Sequence, residues 1–526
     1  MFAIAIFSGI YSYLLFGLGL LGQLNKVSIL TVTILFISSA LLYFQKKPED
    51  FPRFNLKNEK IKPFVFLFGL LMAVNLIGVF SPELSFDALW YHLTLPKLFL
   101  ESQSIFYIPG GLFYYSVMPK LGEMLYLPSI ALNTVILAKL VHFSFGVLAS
   151  LMVYKIARKF VDEKFSILAS LIFYGSLAVA WESTISYIDL TRTFFESLAI
   201  LGILNYFEKR DKKWILESGV MMGLAISTKL IALGSIPIFF LILLVFEKEK
   251  INAFKNAVVF VFTALLISFP WFFFAFITTG NPIYPLFSES YSVGINFNLL
   301  NPINLVKDLL SLFLRADDPI SPIYAIVLPL LILKYKKFNK EQKIIAVFCL
   351  LAIIIWYFTP RTGGGRFILP YLPAFSVLAV ILISSIKNIS LRKYLSALII
   401  IVFLSTVVFR GLANSRNIPV ILGIQSKDEY MSQKLNFKYG DFYDTDGFFR
   451  ENIKNTDMVL LFGFHNLYYA DFPFIHESYV KKGDRFNYVA TQNTRIPKRF
   501  SNWELIYQND TTNVSVYRYG GMKWSY

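Results

Sequence analysis

Long apolar runs recur along the whole chain, and they limit the folds that it can adopt. One of them, "FVFLFGLLMAVNLIGVF" at 64–80, holds no charged residue over a length that crosses a bilayer as a helix. Hydrophobic residues make up 56% of the 526 residues and charged residues only 16%, which is too apolar for a soluble protein of this size. The sequence therefore predicts a polytopic α-helical membrane protein with about thirteen spans.

Every second loop between the apolar runs is rich in lysine and arginine. The segment 45–62 reads "QKKPEDFPRFNLKNEKIK", and later loops contain "KRDKK" and "KYKKFNKEQK". Basic loops remain in the cytoplasm, so the pattern predicts a cytoplasmic N-terminus and an extracytoplasmic chain from about residue 411 onward. The net charge of +16 then reflects membrane orientation, and no nucleic-acid partner is expected. We expect an integral protein of the bacterial inner membrane, surrounded by membrane lipids.

The apolar runs and the polar segments divide the chain into three parts. Residues 1–62 hold two N-terminal spans and a basic cytoplasmic loop, and the first span is interpreted as a retained helix because no basic leader region precedes it. Residues 63–410 form a transmembrane module with a large outer loop at 81–132. Residues 411–526 are predicted to form a small extracytoplasmic α/β domain. Within it, "TDMVLLFGFHNLYYA" is typical of a buried strand followed by a helix start, and "WELIYQNDTTNVSVYRY" is typical of a hairpin.

Acidic residues gather on the predicted outer side of the membrane. Asp87 lies in "SPELSFDALWYHLTLPKL", directly after a span, and Glu182 and Asp189 lie in "WESTISYIDLTRTFFE", between two later spans. Two of them have an ordinary structural explanation. Asp87 can stabilise a helix N-terminus, and Asp189 can pair with Arg192 one helical turn away. However, an acid at the mouth of an apolar bundle is costly unless it has a function.

Basic residues lie on the same predicted side. Lys229 lies near the outer end of a span in "MGLAISTKLIALGS", and Arg361 and Arg366 flank three glycines in "YFTPRTGGGRFILPYLP". Backbone amides of a glycine-rich turn beside guanidinium groups suit a phosphate at the membrane surface. The alternatives are that Lys229 extends to the lipid headgroups and that the two arginines anchor a helix to them. Acids for proton transfer together with cations for a leaving phosphate favour group transfer from a membrane-anchored phosphate donor.

Several short motifs, in order, give the chain a family resemblance. Asp87 in "FDALWYH", Asp189 in "YIDL", the pair Thr228 and Lys229, "GNPIYP" at 280–285 and "RFILPYLP" at 366–373 resemble motifs of GT-C class membrane glycosyltransferases. The resemblance is to the aminoarabinose transferases and the protein O-mannosyltransferase-like group. It covers about 63–410, with a looser match of the C-terminal domain. Two features depart from the family: the two spans before the matching part, and a single acid, Asp87, where the family often has an adjacent pair.

The resemblance implies an inverting transfer of a sugar from a polyprenyl-phosphate donor to a lipid, glycan or protein acceptor on the outer face of the membrane. Asp87 would be the catalytic base or would orient the acceptor, and Asp189 would be a second acid. Lys229 and Arg366 would bind the donor phosphate, and the glycine-flanking Arg361 is a further candidate. A divalent metal ion is also a candidate. The remaining acceptor or metal candidates are His92, Glu123 and Glu182.

Two other functions are compatible with a polytopic membrane protein. A transporter or flippase of lipid-linked saccharides would carry charged residues near the middle of the membrane and a pseudo-symmetric repeat. A membrane-anchored scaffold would use the C-terminal domain to recruit a partner. The clustering of charge at one face favours the glycosyltransferase over the transporter, and deletion of 411–526 would distinguish the scaffold.

Overall fold

The computed structural model describes residues 1–47, 51, 54, 57–288, 301–314, 318–359, 365–521 and 523–526. Most of the described chain is helical. The helices before the large outer loop are α1 Phe2–Leu20, α2 Lys26–Lys46 and α3 Lys62–Val79. The outer loop contains a π-helix at Ala88–His92, α4 Thr94–Glu101, a 3-10 helix at Tyr114–Val117, α5 Leu121–Met124 and α6 Leu127–Ala131.

The transmembrane module continues with two further groups of helices. The first group is α7 Ile136–Ala157, α8 Glu163–Tyr174, α9 Leu177–Glu182, α10 Asp189–Lys209, α11 Lys213–Thr228, a 3-10 helix at Leu230–Ser235, α12 Ile236–Phe246 and α13 Lys250–Thr279. The second is α14 Pro302–Leu314, α15 Ile323–Val327, α16 Leu331–Lys334, α17 Lys340–Phe358, a 3-10 helix at Gly365–Tyr371, α18 Leu372–Ser384 and α19 Ile389–Ser415.

Eight helices of the described chain are long and apolar enough to cross a membrane. They confirm the predicted polytopic helical fold, whereas the count of thirteen spans stays a prediction. The span formed by Gly365–Ser384 is 89% buried within the protein, but α2 is only 6% buried. Helix α10 is buried on all sides from Asp189 to Phe207. Since an evenly buried helix belongs to the core of a bundle, α10 and α18 form its centre and α2 lies at its lipid-facing edge.

The C-terminal region contains α20 Ile418–Ile421, α21 Lys427–Lys434, α22 Phe448–Asn452 and the strands β1 Val459–Phe462, β2 Phe474–His476, β3 Arg485–Phe486, β4 Tyr488–Gln492, β5 Glu504–Asn509, β6 Val514–Arg518 and β7 Trp524–Ser525. Five of the strands form a sheet in the order β2-β1-β4-β6-β5. Strand β1 pairs in parallel with β2 and β4, while β6 pairs antiparallel with β4 and β5. The predicted small α/β region is therefore confirmed.

Two local predictions in this region have different outcomes. The buried strand is present as β1, and the hairpin is present as β5 and β6. The helix start expected after β1 is wrong, because the chain continues from Gly463 in turns and extended backbone up to β2. Gly463 has a φ of +76°, and a Cβ there would lie 2.2 Å from the carbonyl oxygen of Gln492. The close approach of β4 thus bends the chain away from a helical path.

The C-terminal region packs directly on the outer loop. The Lys97 ammonium of α4 donates to the carbonyls of Tyr468 at 2.9 Å and Ala470 at 2.8 Å. The Tyr469 hydroxyl donates to the carbonyl of Glu83 at 2.8 Å, four residues before Asp87. These bonds place the 464–471 segment over the part of the outer loop that carries the candidate acid.

We predict that Gly110→Ala weakens this contact. Gly110 has a φ of +86°, and a Cβ there would lie 1.8 Å from the carbonyl oxygen of Ser478. The left-handed backbone alone costs a non-glycine residue roughly 1–3 kcal/mol, and the clash adds to that cost. Thermal unfolding of the purified protein should occur at a lower temperature. Gly111→Ala is the control because a Cβ there meets no atom within 4 Å, and equal unfolding temperatures for the two variants would contradict the packing described.

Candidate active site

Asp87 lies at the start of a rare local structure. The backbone N–H of Leu93 donates to the carbonyl of Ala88 at 2.9 Å, which closes one turn of π-helix over Ala88–His92. Single π turns occur frequently at functional sites. The Asp87 carboxylate accepts a hydrogen bond from the Tyr91 hydroxyl at 3.1 Å. The π turn is followed directly by α4.

A buried cluster of charged side chains forms around Arg366. Its Nη1 lies 2.6 Å from Oδ2 of Asp87, and its Nε lies 3.2 Å from Oδ2 of Asp189 and 3.5 Å from Oε1 of Glu182. The Lys229 Nζ lies 2.6 Å from the second oxygen of Asp189. These five residues, called the ion cluster below, combine three of the predicted acids with two of the predicted cations.

Three separate segments of the bundle meet at the ion cluster. Asp189 is the first residue of α10, and Lys229 follows the last residue of α11 with an extended backbone. Arg366 lies in the 3-10 helix that leads into α18. Because α10 and α11 pack along each other, the lysine at the end of one reaches the acid at the start of the other. These three charges therefore come from helix ends at the same level of the bundle.

The surroundings of Asp87 keep it ionised. Burial alone would raise its pKa, but the nearby charges of Arg366 and Lys229 and the hydrogen bond from Arg366 outweigh burial, so the pKa of Asp87 lies below its ordinary value. Its side chain is 18% exposed, and that of Arg366 is 12% exposed, so the cluster keeps a small opening to solvent. In this state Asp87 is a weak proton acceptor because Arg366 stabilises its charge.

Glu182 is the least satisfied member of the ion cluster. Within the described residues, neither of its carboxylate oxygens has a hydrogen-bond partner, and the side chain is fully buried. The guanidinium Nε of Arg366 lies 3.5 Å from one oxygen, and Nε2 of His142, which accepts from the backbone N–H of Leu190, lies 3.9 Å from the other. A buried carboxyl group whose oxygens lack partners is suited to accept a hydrogen bond from a ligand hydroxyl or to accept a proton from it.

His92 and Glu123 form a second buried pair beside the ion cluster. His92 Nδ1 lies 2.9 Å from Glu123 Oε1, and the two side chains are 0% and 2% exposed. Burial outweighs the neighbouring carboxylates and lowers the pKa of His92, so its imidazole is neutral. In the described structure, His92 Nε2 and Glu123 Oε2 have no hydrogen-bond partner. With Nδ1–H donating to Glu123, Nε2 is left as a proton acceptor.

The described residues do not fit a protein-held metal ion. Among them, no group of three or more His, Cys, Asp and Glu side chains is arranged to hold one. The pair of His92 and Glu123 offers two ligands, whereas catalytic zinc sites use three protein ligands. Metal dependence stays a prediction.

The alternative pairing of Asp189 with Arg192 is not formed. Arg192 Nε bonds Glu196 Oε1 at 2.6 Å, and Asp189 bonds Lys229. Arg361 lies outside the described residues. His142 hydrogen-bonds within the bundle, with Nδ1 2.9 Å from the carbonyl oxygen of Ile185.

Sequence reasoning missed the aromatic residues around Asp87. Tyr187 receives a hydrogen bond from the backbone N–H of Asp87 at 3.2 Å, and its ring centroid lies 4.2 Å from the Arg366 guanidinium. His465 of the C-terminal region stacks on Phe86 at 4.8 Å. With 17% aromatic residues in the chain, neither position carries a distinguishing signal in the sequence.

Comparison with known proteins gives the family context. Residues 128–274 match the family model of dolichyl-phosphate-mannose-protein mannosyltransferases. The structure is similar to that of ArnT from Cupriavidus metallidurans in the apo state, with a TM-score of 0.59, 11% identity, and coverage of 86% of this chain and 97% of ArnT. The chain has the GT-C fold.

A second ArnT structure extends this result. ArnT from Cupriavidus metallidurans bound to undecaprenyl phosphate matches with a TM-score of 0.57, 12% identity, and coverage of 87% of this chain and 98% of that one. A search of the curated proteins found no match. The predicted resemblance to GT-C class membrane glycosyltransferases is therefore confirmed. The family match contains Asp189 and Lys229 but neither Asp87 nor Arg366, so the roles of individual residues stay predictions.

Replacing Arg366 should invert the pH dependence of stability. In the native protein the pKa of Asp87 is below its ordinary value of 3.8, so its stabilising contribution is present above that pH and is lost on further acidification. In Arg366→Gln, burial dominates and raises the pKa of Asp87, so stability should fall as the pH rises through the new value. We expect a loss of roughly 3–5 kcal/mol near pH 7 that shrinks toward pH 5.

Thermal unfolding between pH 5 and 8 measures this effect. The control is Arg410→Gln, because the Arg410 guanidinium bonds Thr184 and Asn414 and no carboxylate. A parallel pH dependence for the two variants would contradict the account of the ion cluster.

Proposed function

We propose that this protein transfers a sugar from a polyprenyl-phosphate donor to a hydroxyl acceptor at the outer face of a bacterial inner membrane. The observation that carries the proposal is the ion cluster, in which two cations suited to a phosphate lie within hydrogen-bond distance of two acids suited to a hydroxyl. The GT-C fold supports it. The alternation of basic loops supports the outer location, with the N-terminus in the cytoplasm and the C-terminal domain outside.

The donor phosphate would bind at Lys229 and Arg366, with Arg361 as a further candidate. A guanidinium group binds phosphate oxygens in pairs, and lysine adds a point charge. Both cations already hold acids, so an arriving phosphate competes with Asp87 for Arg366. When Arg366 turns to the phosphate, Asp87 loses its counter-ion while it remains buried. Its pKa then rises, and it becomes a better proton acceptor as the donor binds.

In the reaction, the acceptor oxygen attacks the anomeric carbon opposite the phosphate. A new carbon–oxygen bond forms, the bond from the anomeric carbon to the phosphate oxygen breaks, and its electron pair leaves with the polyprenyl phosphate. The acceptor proton passes to Asp87, and the configuration at carbon inverts. Lys229 and Arg366 stabilise the charge that develops on the leaving phosphate. Asp189 holds Lys229 in place, and Glu182, His92 and Glu123 remain candidates for contact with the acceptor.

Binding of undecaprenyl phosphate tests the phosphate site directly. A ligand that binds the folded state raises the unfolding temperature, so wild-type protein should unfold at a higher temperature with this lipid present. Lys229→Met should abolish most of the shift because it removes one of the two cations. Lys213→Met, at the opposite end of the same helix, should retain it. Wild-type protein without a shift would contradict the proposed phosphate site.

Replacement of Asp87 tests the proposed base. Asp87→Asn preserves size and removes the proton acceptor, so transfer should fall by roughly 10²–10⁴-fold. Binding of undecaprenyl phosphate should persist. The measurement is product formation in membranes that contain the variant and receive labelled polyprenyl-phosphate sugars. Wild-type transfer by Asp87→Asn would exclude Asp87 as the base, and movement of labelled lipid across the bilayer without transfer would favour the transporter.

A further inference from the structure

A second buried polar cluster lies on the same face of α10 as Asp189. The Arg192 Nε lies 2.6 Å from Glu196 Oε1, and the Ser235 hydroxyl donates to Glu196 Oε2 at 2.9 Å. The Tyr371 hydroxyl lies 3.1 Å from the Ser235 hydroxyl and accepts from Arg192 Nη2 at 3.4 Å. All four residues are buried, and we name this group of Arg192, Glu196, Ser235 and Tyr371 the clasp.

The clasp is an expensive way to pack helices. Arg192 is 3% exposed and Glu196 is 0% exposed, so both ions have lost their water. The attraction between two such ions often only offsets the cost of removing that water, and apolar side chains of similar size would pack at least as well. Ionisable residues inside a membrane bundle therefore indicate a function beyond packing. A polar pair of this kind was also the expected mark of a transporter, but here its hydrogen bonds close within the protein.

The connections of the clasp indicate what that function is. Ser235 is the last residue of the 3-10 helix that starts directly after Lys229, and Tyr371 is the last residue of the 3-10 helix that contains Arg366. Helices of the 3-10 type have poor hydrogen-bond geometry, so they hold their own orientation weakly. The clasp ties the far end of both segments to Glu196 and Arg192 of α10.

The same helix also carries the acid that the two cations share. Asp189 lies three residues before Arg192 and seven before Glu196, positions that fall on one side of a helix. Helix α10 thus contacts Lys229 and Arg366 through Asp189 and contacts the other ends of their segments through the clasp. Each cation is fixed at two levels of the bundle against one rigid helix.

We propose that Arg192 and Glu196 are positioning residues that hold Lys229 and Arg366 at the spacing required for a lipid-linked phosphate. The inference rests on the proposed function, because it assigns both cations to the donor phosphate. The positioning pair has no contact with that phosphate. Its effect passes through Ser235 and Tyr371 to the two 3-10 helices.

Tyr371→Phe tests the proposal with the smallest change. It keeps the ring and removes the hydroxyl that joins Ser235 to Arg192. The matched control is Tyr324→Phe, which removes a buried hydroxyl 2.8 Å from the Ser376 hydroxyl in the same bundle. Both variants should unfold at slightly lower temperatures. Binding of undecaprenyl phosphate should weaken roughly tenfold in Tyr371→Phe, the effect of losing a hydrogen bond to a charged group, and less than twofold in Tyr324→Phe.

Ser235→Ala provides a second variant, because it removes the Ser235 bonds to Glu196 and to the Tyr371 hydroxyl and leaves the bond between Tyr371 and Arg192 in place. It should weaken binding in the same direction as Tyr371→Phe. Wild-type affinity in both clasp variants, or equal weakening in Tyr324→Phe, would overturn the positioning role while the phosphate site itself stood. Wild-type protein that binds no undecaprenyl phosphate would instead contradict the proposed function and, with it, this inference.

Discussion

The contact of Arg366 with Asp87 and Asp189 is the interaction on which the outer half of the protein depends. Asp87 comes from the outer loop, Asp189 from the start of α10 and Arg366 from the segment before α18. In the sequence, 279 residues separate Asp87 from Arg366. An arginine with this little exposure needs counter-ions, and the two carboxylates need a cation, so none of the three segments can leave the cluster alone. One guanidinium group therefore links the outer loop to two helix ends that lie far from it in the sequence.

The same contact explains how binding and chemistry can be linked. Phosphate and carboxylate both bind a guanidinium group through paired hydrogen bonds, so a phosphate that bonds Nη1 of Arg366 competes with Asp87. In the proposed mechanism, Asp87 is ionised and inactive while it is paired with Arg366, and it becomes a proton acceptor when the donor phosphate takes Arg366. The proposed role of the clasp is to keep the two cations in place during this exchange. The charges of the ion cluster would then serve both stability and reactivity. This is expected, because buried ions in a membrane bundle are costly and are kept where they have a function.

The general fold and the residue types of the site could be predicted from sequence, but the pairings could not. Uninterrupted apolar runs imply membrane helices, and Asp87, Asp189, Lys229 and Arg366 are conspicuous as charges at the ends of such runs. Spacing alone could not decide whether Arg192 pairs with Asp189 or with Glu196, since both lie on its helix face; Lys229, 40 residues beyond Asp189, decides it. The π turn at Ala88–His92 and the stacking of His465 on Phe86 depend on tertiary contacts without a local sequence pattern.

A structure of the protein with undecaprenyl phosphate bound, determined by cryo-electron microscopy, would test the central claim most directly. The account predicts phosphate oxygens within hydrogen-bond distance of Lys229 and Arg366, and a contact between Arg366 and Asp87 that is longer than the 2.6 Å described above. The clasp should be unchanged, because it lies on the far side of both 3-10 helices. A phosphate bound elsewhere, with the Arg366–Asp87 contact intact, would contradict the account.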